Sequence, residues 1–285
     1  MIQSMTGYGK SILELPSKKI TIEIKSLNSK GLDLNARIPS SYREKELVLR
    51  DYIAKSLTRG KIDVSLYIEV TGEATSSVIN EPVVKEYMRQ LNTIAATDTS
   101  ELLKMAIRMP DALKTERDEM DEDEFKNIMK GVDEALEAIN QYRSDEGKVL
   151  EADFKTRIEI ISALLNEVMK IDPERMQNVR EKLQKAVSEL KETVDANRFE
   201  QELIYYLEKY DITEEKVRLE NHLNYFLETL NSDDSNGKKL GFITQEIGRE
   251  INTIGSKANY APMQQLVVQM KDELEKIKEQ ALNVL

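Results

Sequence analysis

Apolar and polar positions change period partway along the chain. Ile20-Ile22-Ile24, Leu32-Leu34-Ala36-Ile38 and Ile62-Val64-Leu66-Ile68-Val70 alternate with polar residues, the spacing of half-buried strands. A further strand is expected before Pro16. Pro39 stops the second run, and Ser41 with Glu44 has the spacing of a capping box. The helix that follows carries Leu49, Tyr52, Ile53 and Leu57 to a stop at Gly60. Gly7 and Gly9 interrupt a strand-like run, which points to a bulge or a close backbone approach. The polar stretch Thr71 to Asn80 reads as a connector, and beyond it nearly everything has helical spacing.

Glu81 to Ala95 and Ser100 to Met109 are short amphipathic segments ended by Pro110, and Phe125 to Ile171 reads as one long helix or two in series. Asp118 to Glu124 is an acidic run, read as a solvated loop or helix start rather than a metal site. Pro173 is expected in the first turn of a new helix. Leu183, Val187, Leu190 and Val194 then form a coiled-coil-like seam, which fails at Asn197 and Gln201. Asp211 and Glu214 have capping-box spacing before a helix with Ile212, Leu219, Leu223, Phe226, Leu227 and Leu230 on its buried stripe. Glu215, Arg218 and His222 share one flank of that helix, within about 60°. Asn231 to Gly237 reads as a polar loop, and Met263 to Leu285 as a last amphipathic helix with Leu266, Met270, Leu274, Ile277 and Ala281 inward.

Gly237 to Tyr260 carries the densest pattern. As a helix it gathers Leu240, Ile243, Ile247, Ile251 and Ile254 within about 80°. Glu246, Glu250, Thr253 and Lys257 form the adjoining polar row, with Gln245, Arg249, Asn252 and Ser256 beyond it. Gly241, Gly248 and Gly255 recur on a third line. Because glycine weakens a helix interior by roughly 0.5–1 kcal/mol, that line suggests close approach of something bulky, either a packed helix or a phosphate backbone.

The fold class that follows is α+β: a small N-terminal antiparallel sheet with a covering helix, then a mostly α C-terminal half of long helices. The division expected is 1–154 for the α+β domain and 155–285 for the helical domain that carries the candidate site. At 285 residues the chain can bury more than one core. It has no Cys, which removes disulfides and thiolate metal sites, and no long apolar run or signal peptide; a cytoplasmic protein is expected. The formal net charge of −11 argues against indiscriminate nucleic-acid binding, so any such contact must be local. Carboxylates with a single His suit Mg²⁺ or Mn²⁺ rather than zinc. With nearby Arg and Lys they suit phosphodiester cleavage, and equally a salt-bridge network between packed helices.

The run Lys238-Lys239-Leu240, Phe242, Gln245-Glu246, Arg249-Glu250, Asn252-Thr253 and Ser256-Lys257 resembles the C-terminal signature of the YicC/YloC family, G-[RK]-[RK]-L-x-F-x-x-Q-E-x-x-R-E-x-N-T-x-x-S-K. Gly248 stands where that pattern has Asn, and Ala258-Asn259-Tyr260 replaces its Ser-x-Asp. Further likenesses are Ser4-Met5-Thr6-Gly7-Tyr8-Gly9, Leu27-Asn28-Ser29-Lys30 with Leu32-Asp33, and Arg59-Gly60-Lys61 with Val64. Arg143, Glu146-Gly147 and Leu150 also match and are read as structural. Asp195, Arg198, Gln201 and Glu202, where the seam fails, match too and are read as part of a site rather than a register device, and Arg218-Leu219 with His222 follows the family's R-L-x-x-H spacing. The resemblance implies a divalent-metal-dependent endoribonuclease acting on single-stranded RNA, in RNA turnover or small-RNA regulation, assembled as a hexamer. It implies Glu246 and Glu250 as catalytic metal ligands for Mn²⁺ or Mg²⁺, and His222 as a ligand or proton carrier. Arg198, Arg218, Arg249 and Lys257 would hold phosphates, oriented by Gln245 and Asn252. A non-catalytic RNA-binding or scaffold protein stays open beside it, with the same polar rows locking protomers together.

Overall fold

The computed structural model describes residues 2–71, 78–114, 122–189, 196–232 and 237–285, and of 196–198 the backbone alone. It divides into two compact units, one of Met1–Gly7, Leu27–Ser29 and Gln141–Leu285, the other of Tyr8–Ser26 and Lys30–Asn140.

In the second unit, β1 (Gly7–Glu14), β2 (Lys18–Leu27), β3 (Leu32–Arg37) and β4 (Gly60–Val70) form one sheet in the order β1-β2-β4-β3. The sheet is mixed rather than wholly antiparallel. β3 pairs β4 in parallel from Leu32 against Gly60 to Arg37 against Ser65, after a crossover through α1 (Glu46–Ser56). Parallel neighbours require such a crossover, and α1 supplies it. The expected capping box is absent: Ser40–Lys45 is a 3₁₀ turn, and neither it nor α1 has a side-chain cap. Tyr42 of that turn is drawn inward, where its hydroxyl donates to Glu124. Gly60, with φ of 126°, opens β4 instead of closing the helix.

Ile20, Ile22, Ile24, Ile62, Val64 and Leu66 bury one sheet face against Leu49 and Ile53 of α1 and Leu57 just beyond its end. The same cluster holds Ile128, Val132, Ala135 and Ile139 from the start of α4 (Glu122–Ser188), so two helices cover the sheet rather than one. Gly9 lets β1 meet α4, since a Cβ there would lie 2.0 Å from the Ala135 carbonyl oxygen. Two short strands, β5 (Val78–Ile79) and β6 (Leu113–Lys114), pair around α2 (Glu81–Ile94) and α3 (Thr99–Ala106); β5 falls inside the expected connector.

The first unit is built on α4, α6 (Thr213–Asn231), α7 (Gly237–Lys257) and α8 (Ala261–Ala281). All five residues of the α7 stripe are buried in one cluster with Leu219, Leu223, Phe226 and Leu230 of α6 and Met263, Val267, Met270 and Leu274 of α8. Each such side chain contributes about 1.5–3 kcal/mol of transfer free energy. Phe154 of α4 meets Phe226 edge to face at 5.8 Å. The chain's first residues dock here too: Ser4 bridges Val284, its amide donates to the Arg143 carbonyl at 3.0 Å, and Thr6 Oγ1 donates to Glu146 at 2.6 Å. The Arg143-Glu146-Gly147 motif therefore seats the N-terminal segment, with Gly147 packed on the Ile2 backbone.

Pro173 lies inside α4 rather than at the start of a new helix. An interior proline costs about 3 kcal/mol, so contacts around it must outweigh helix propensity. Asp172 and Arg175 are buried beside it and anchor α4 to the corner between α5 (Ala196–Tyr210) and α6. Of the expected seam, Leu183 and Val187 are half-buried. Leu190, Val194, Asp195 and the Arg198 side chain lie outside the described residues, as do 118–121 of the acidic run and 233–236 of the polar loop.

Candidate functional site

The site forms where α6 and α7 lie side by side, because each helix carries a charged row flanking its apolar stripe. From α7 come Glu246, Glu250 and Lys257; from α6 come Glu215, Arg218 and His222. Glu250 is at the centre, only 4 % exposed. Among the described residues it makes no hydrogen bond or ion pair. Burial pushes its carboxyl above the ordinary range, and the negative neighbours Glu215 and Glu246 push the same way, against the pull of Arg218 and His222. Glu215, Arg218 and His222 thus act on Glu250 from across the helix pair, and Glu246 from its own helix.

Glu215 lies on the same flank of α6 and is not among the residues that the family resemblance singles out. It is buried, takes Lys257 Nζ on Oε1 at 2.8 Å, and leaves Oε2 without a partner among the described residues. Its signal was its place three and seven residues before Arg218 and His222. Lys257 also donates to the Asp211 carbonyl at 2.9 Å, so it is a strut between α7 and the start of α6 rather than a free phosphate hook. Asp211 accepts from the Thr213 amide at 3.0 Å and from its hydroxyl at 2.7 Å. The capping box with Glu214 does not form; Glu214 bonds Arg218 instead.

Arg218 and Arg249 are exposed on the two helices, and Arg249 holds Glu246 only at 3.4 Å. Glu246 and His222 are half-buried. Gln245 and Asn252 are exposed but stand about 140–160° round α7 from Glu250. Gln245 lines a separate hollow with Glu275, Lys278 and Glu279 of α8. Gln201 and Glu202 are exposed on α5. Two of the three glycines on that line face α8: a Cβ on Gly248 would meet Leu274 at 3.2 Å, and one on Gly255 would meet Val267 at 2.9 Å, while one on Gly241 would meet nothing within 4 Å. Helix packing explains those two glycines.

The donors fit one kind of metal and not another. Among the described residues no three His, Asp or Glu side chains stand together as a cage for an ion. Mg²⁺ and Mn²⁺, however, commonly take one or two carboxylates from protein and the rest from water and phosphate. Glu250, buried and without a hydrogen bond or ion pair among the described residues, has the carboxylates of Glu215 and Glu246 acting on it as well as Arg218 and His222, and such an ion would offset the repulsion among the carboxylates. The residues therefore fit an ion that arrives with a phosphate better than a resident one. Among the described residues no helix is long and apolar enough to cross a membrane.

Comparison with known proteins assigns the chain to a family. Residues 2–152 match the family described as endoribonuclease YicC-like, N-terminal region, and residues 168–285 match endoribonuclease YicC-like, C-terminal. A probable endoribonuclease YicC of Clostridioides difficile is 33% identical over 293 aligned positions, covering all of both chains. One of Haemophilus influenzae is 28% identical over 287, again covering both completely. The chain belongs to the YicC-like endoribonuclease family.

Proposed function

We propose that this protein is an endoribonuclease that cleaves phosphodiester bonds within single-stranded RNA at the α6–α7 site. The observation that carries the reading is Glu250, a buried carboxylate without a hydrogen bond or ion pair among the described residues, with Arg218, His222, Glu215 and Glu246 near enough to act on it, and raised in pKa chiefly by burial. A carboxylate shifted by burial and by charged neighbours is a candidate for a working group.

Arg218 and Arg249 are exposed guanidiniums whose planar forks match phosphate oxygens, and they would hold the strand on either side of Glu250. His222 would carry a proton to the leaving oxygen. Glu246 and Glu250 would hold a divalent cation, Mn²⁺ or Mg²⁺, which when bound polarises the scissile phosphate and acidifies a water. Lys257 and Glu215 fix the distance between the two helices beneath these groups. A homo-hexamer, as the family resemblance implies, would confine the site within an assembly and reconcile RNA handling with the net charge of −11.

The test is incubation with a single-stranded oligoribonucleotide labelled at one end. Internal cleavage that EDTA stops and Mn²⁺ restores supports the reading. Binding without products supports the scaffold alternative, which the Lys257–Glu215 strut also favours.

A further inference from the structure

On the side of α4, at the α5–α6 corner, lies a buried charged network. Arg175 is 1 % exposed. Its Nε donates to Asp172 Oδ1 at 2.8 Å, and its Nη2 to the Tyr210 carbonyl, the last of α5, at 2.8 Å. Asp172 Oδ2 receives Lys216 Nζ from the first turn of α6 at 2.7 Å. The α5–α6 corner is thus gripped on both sides by one segment of α4. One residue along on each side, the same corner grips the site: the Asp211 carbonyl takes Lys257, and Glu215 takes the other bond of Lys257.

We infer that Asp172, Arg175 and Lys216 are positioning residues for the candidate nuclease site, holding the corner whose Asp211 carbonyl and Glu215 carboxylate fix Lys257 beneath Glu250. This rests on the nuclease reading. The reasoning is geometric. Lys216 and Glu215 are consecutive and point to opposite partners, α4 and α7, so a turn of the first helical residues of α6 moves both together. Buried charged groups tolerate little displacement, because each lost bond strands a charge away from water. The network also accounts for an interior proline at 173: rigid tertiary anchoring on either side of the break replaces the helix bond that Pro173 lacks.

The experiment uses the full-length protein with Lys216→Gln and Lys216→Arg, and Asp172→Asn as a second way of cutting the same link. Two quantities are read: kcat and KM on a single-stranded oligoribonucleotide, and the rate at which an N-hydroxysuccinimide ester acylates Lys257, followed by peptide mass spectrometry. The inference expects Lys216→Gln to lower kcat about tenfold while KM stays within about twofold, since displacement of catalytic groups costs rate rather than affinity. Lys257 should be acylated several-fold faster, and Lys216→Arg should restore both. Unchanged labelling of Lys257 in folded Lys216→Gln and Asp172→Asn overturns the inference, whatever happens to kcat. So does a loss of thermal stability alone with kcat intact. If the wild-type protein cleaves no RNA, the nuclease reading fails by itself, and the acylation rates still decide whether the network positions Lys257.

Discussion

The Lys257–Glu215 strut makes a prediction that ordinary surface ion pairs do not. Its two ends differ in burial: the Lys257 side chain is 31% exposed and that of Glu215 8%. Removing one partner of a fully buried pair costs about 3–5 kcal/mol, because the remaining charge is stranded. In Lys257→Met the stranded group is Glu215, whose second oxygen already has no partner among the described residues. Water entering through the gap left by the lysine relieves part of this, so about 2 kcal/mol is expected. In Glu215→Gln the remaining group is a lysine that can reach solvent and still bonds the Asp211 carbonyl. That change should cost under about 1 kcal/mol. The double variant should then be more stable than the sum of the two predicts, by about 1 kcal/mol. Urea denaturation at fixed protein concentration measures all three. Equal costs for the two single changes, or strict additivity, would refute the asymmetry and with it the claim that Glu215 is a sequestered charge.

Other consequences are as specific. For Glu250 the folded-state pKa is raised above 4.5 by burial, so the folded protein favours its protonated form and loses stability as pH rises from the unfolded value through the folded one. Glu250→Gln should therefore melt higher than wild type at pH 7–8, with the gain vanishing below about pH 4, near the unfolded pKa; a gain independent of pH counts against a buried ionised carboxylate. Gly241→Ala, where an added Cβ meets nothing within 4 Å, should stabilise by about 0.5–1 kcal/mol. Gly255→Ala, whose Cβ would press on Val267 at 2.9 Å, should destabilise by about 1 kcal/mol, and chemical denaturation compares the pair. Gly147→Ala would set a Cβ 2.1 Å from the Ile2 carbonyl oxygen, so proteolysis of the N-terminal segment should accelerate; unchanged cleavage there would contradict the docking of residues 2–6.

Periodicity made the buried faces legible. Leu240, Ile243, Ile247, Ile251 and Ile254 are buried as their spacing requires, and so are Ile20, Ile22 and Ile24 of β2 and Ile62, Val64 and Leu66 of β4, because period alone decides which side chains share a face; Val70, the last of the β4 alternation, is exposed. The polar row of α7 was legible for the same reason. What local spacing does not contain is the identity of the partner across a gap. Lys257 could have faced RNA; it faces Glu215, and that depends on how far α6 extends toward its N-terminus. The glycine line was visible, but whether a phosphate or Val267 and Leu274 filled the space was decided by α8. Pro173 misled because proline rules are local, while Arg175 and Asp172 draw their bonds from residues far along the chain. The capping boxes at Ser41 and Asp211 failed for a related reason. Tyr42 and Glu214 found other partners, and the turns settled around those.

The central claim is that Glu250 works on RNA rather than merely bracing two helices, and one variant separates the two. Glu250→Gln keeps the shape and removes the charge. Its single-turnover cleavage of a single-stranded oligoribonucleotide should be measured beside its mass in solution. The account predicts cleavage lost by on the order of 10² or more, with RNA still bound and the assembly unchanged in size. Cleavage at the wild-type rate, or breakdown into smaller species, would contradict it.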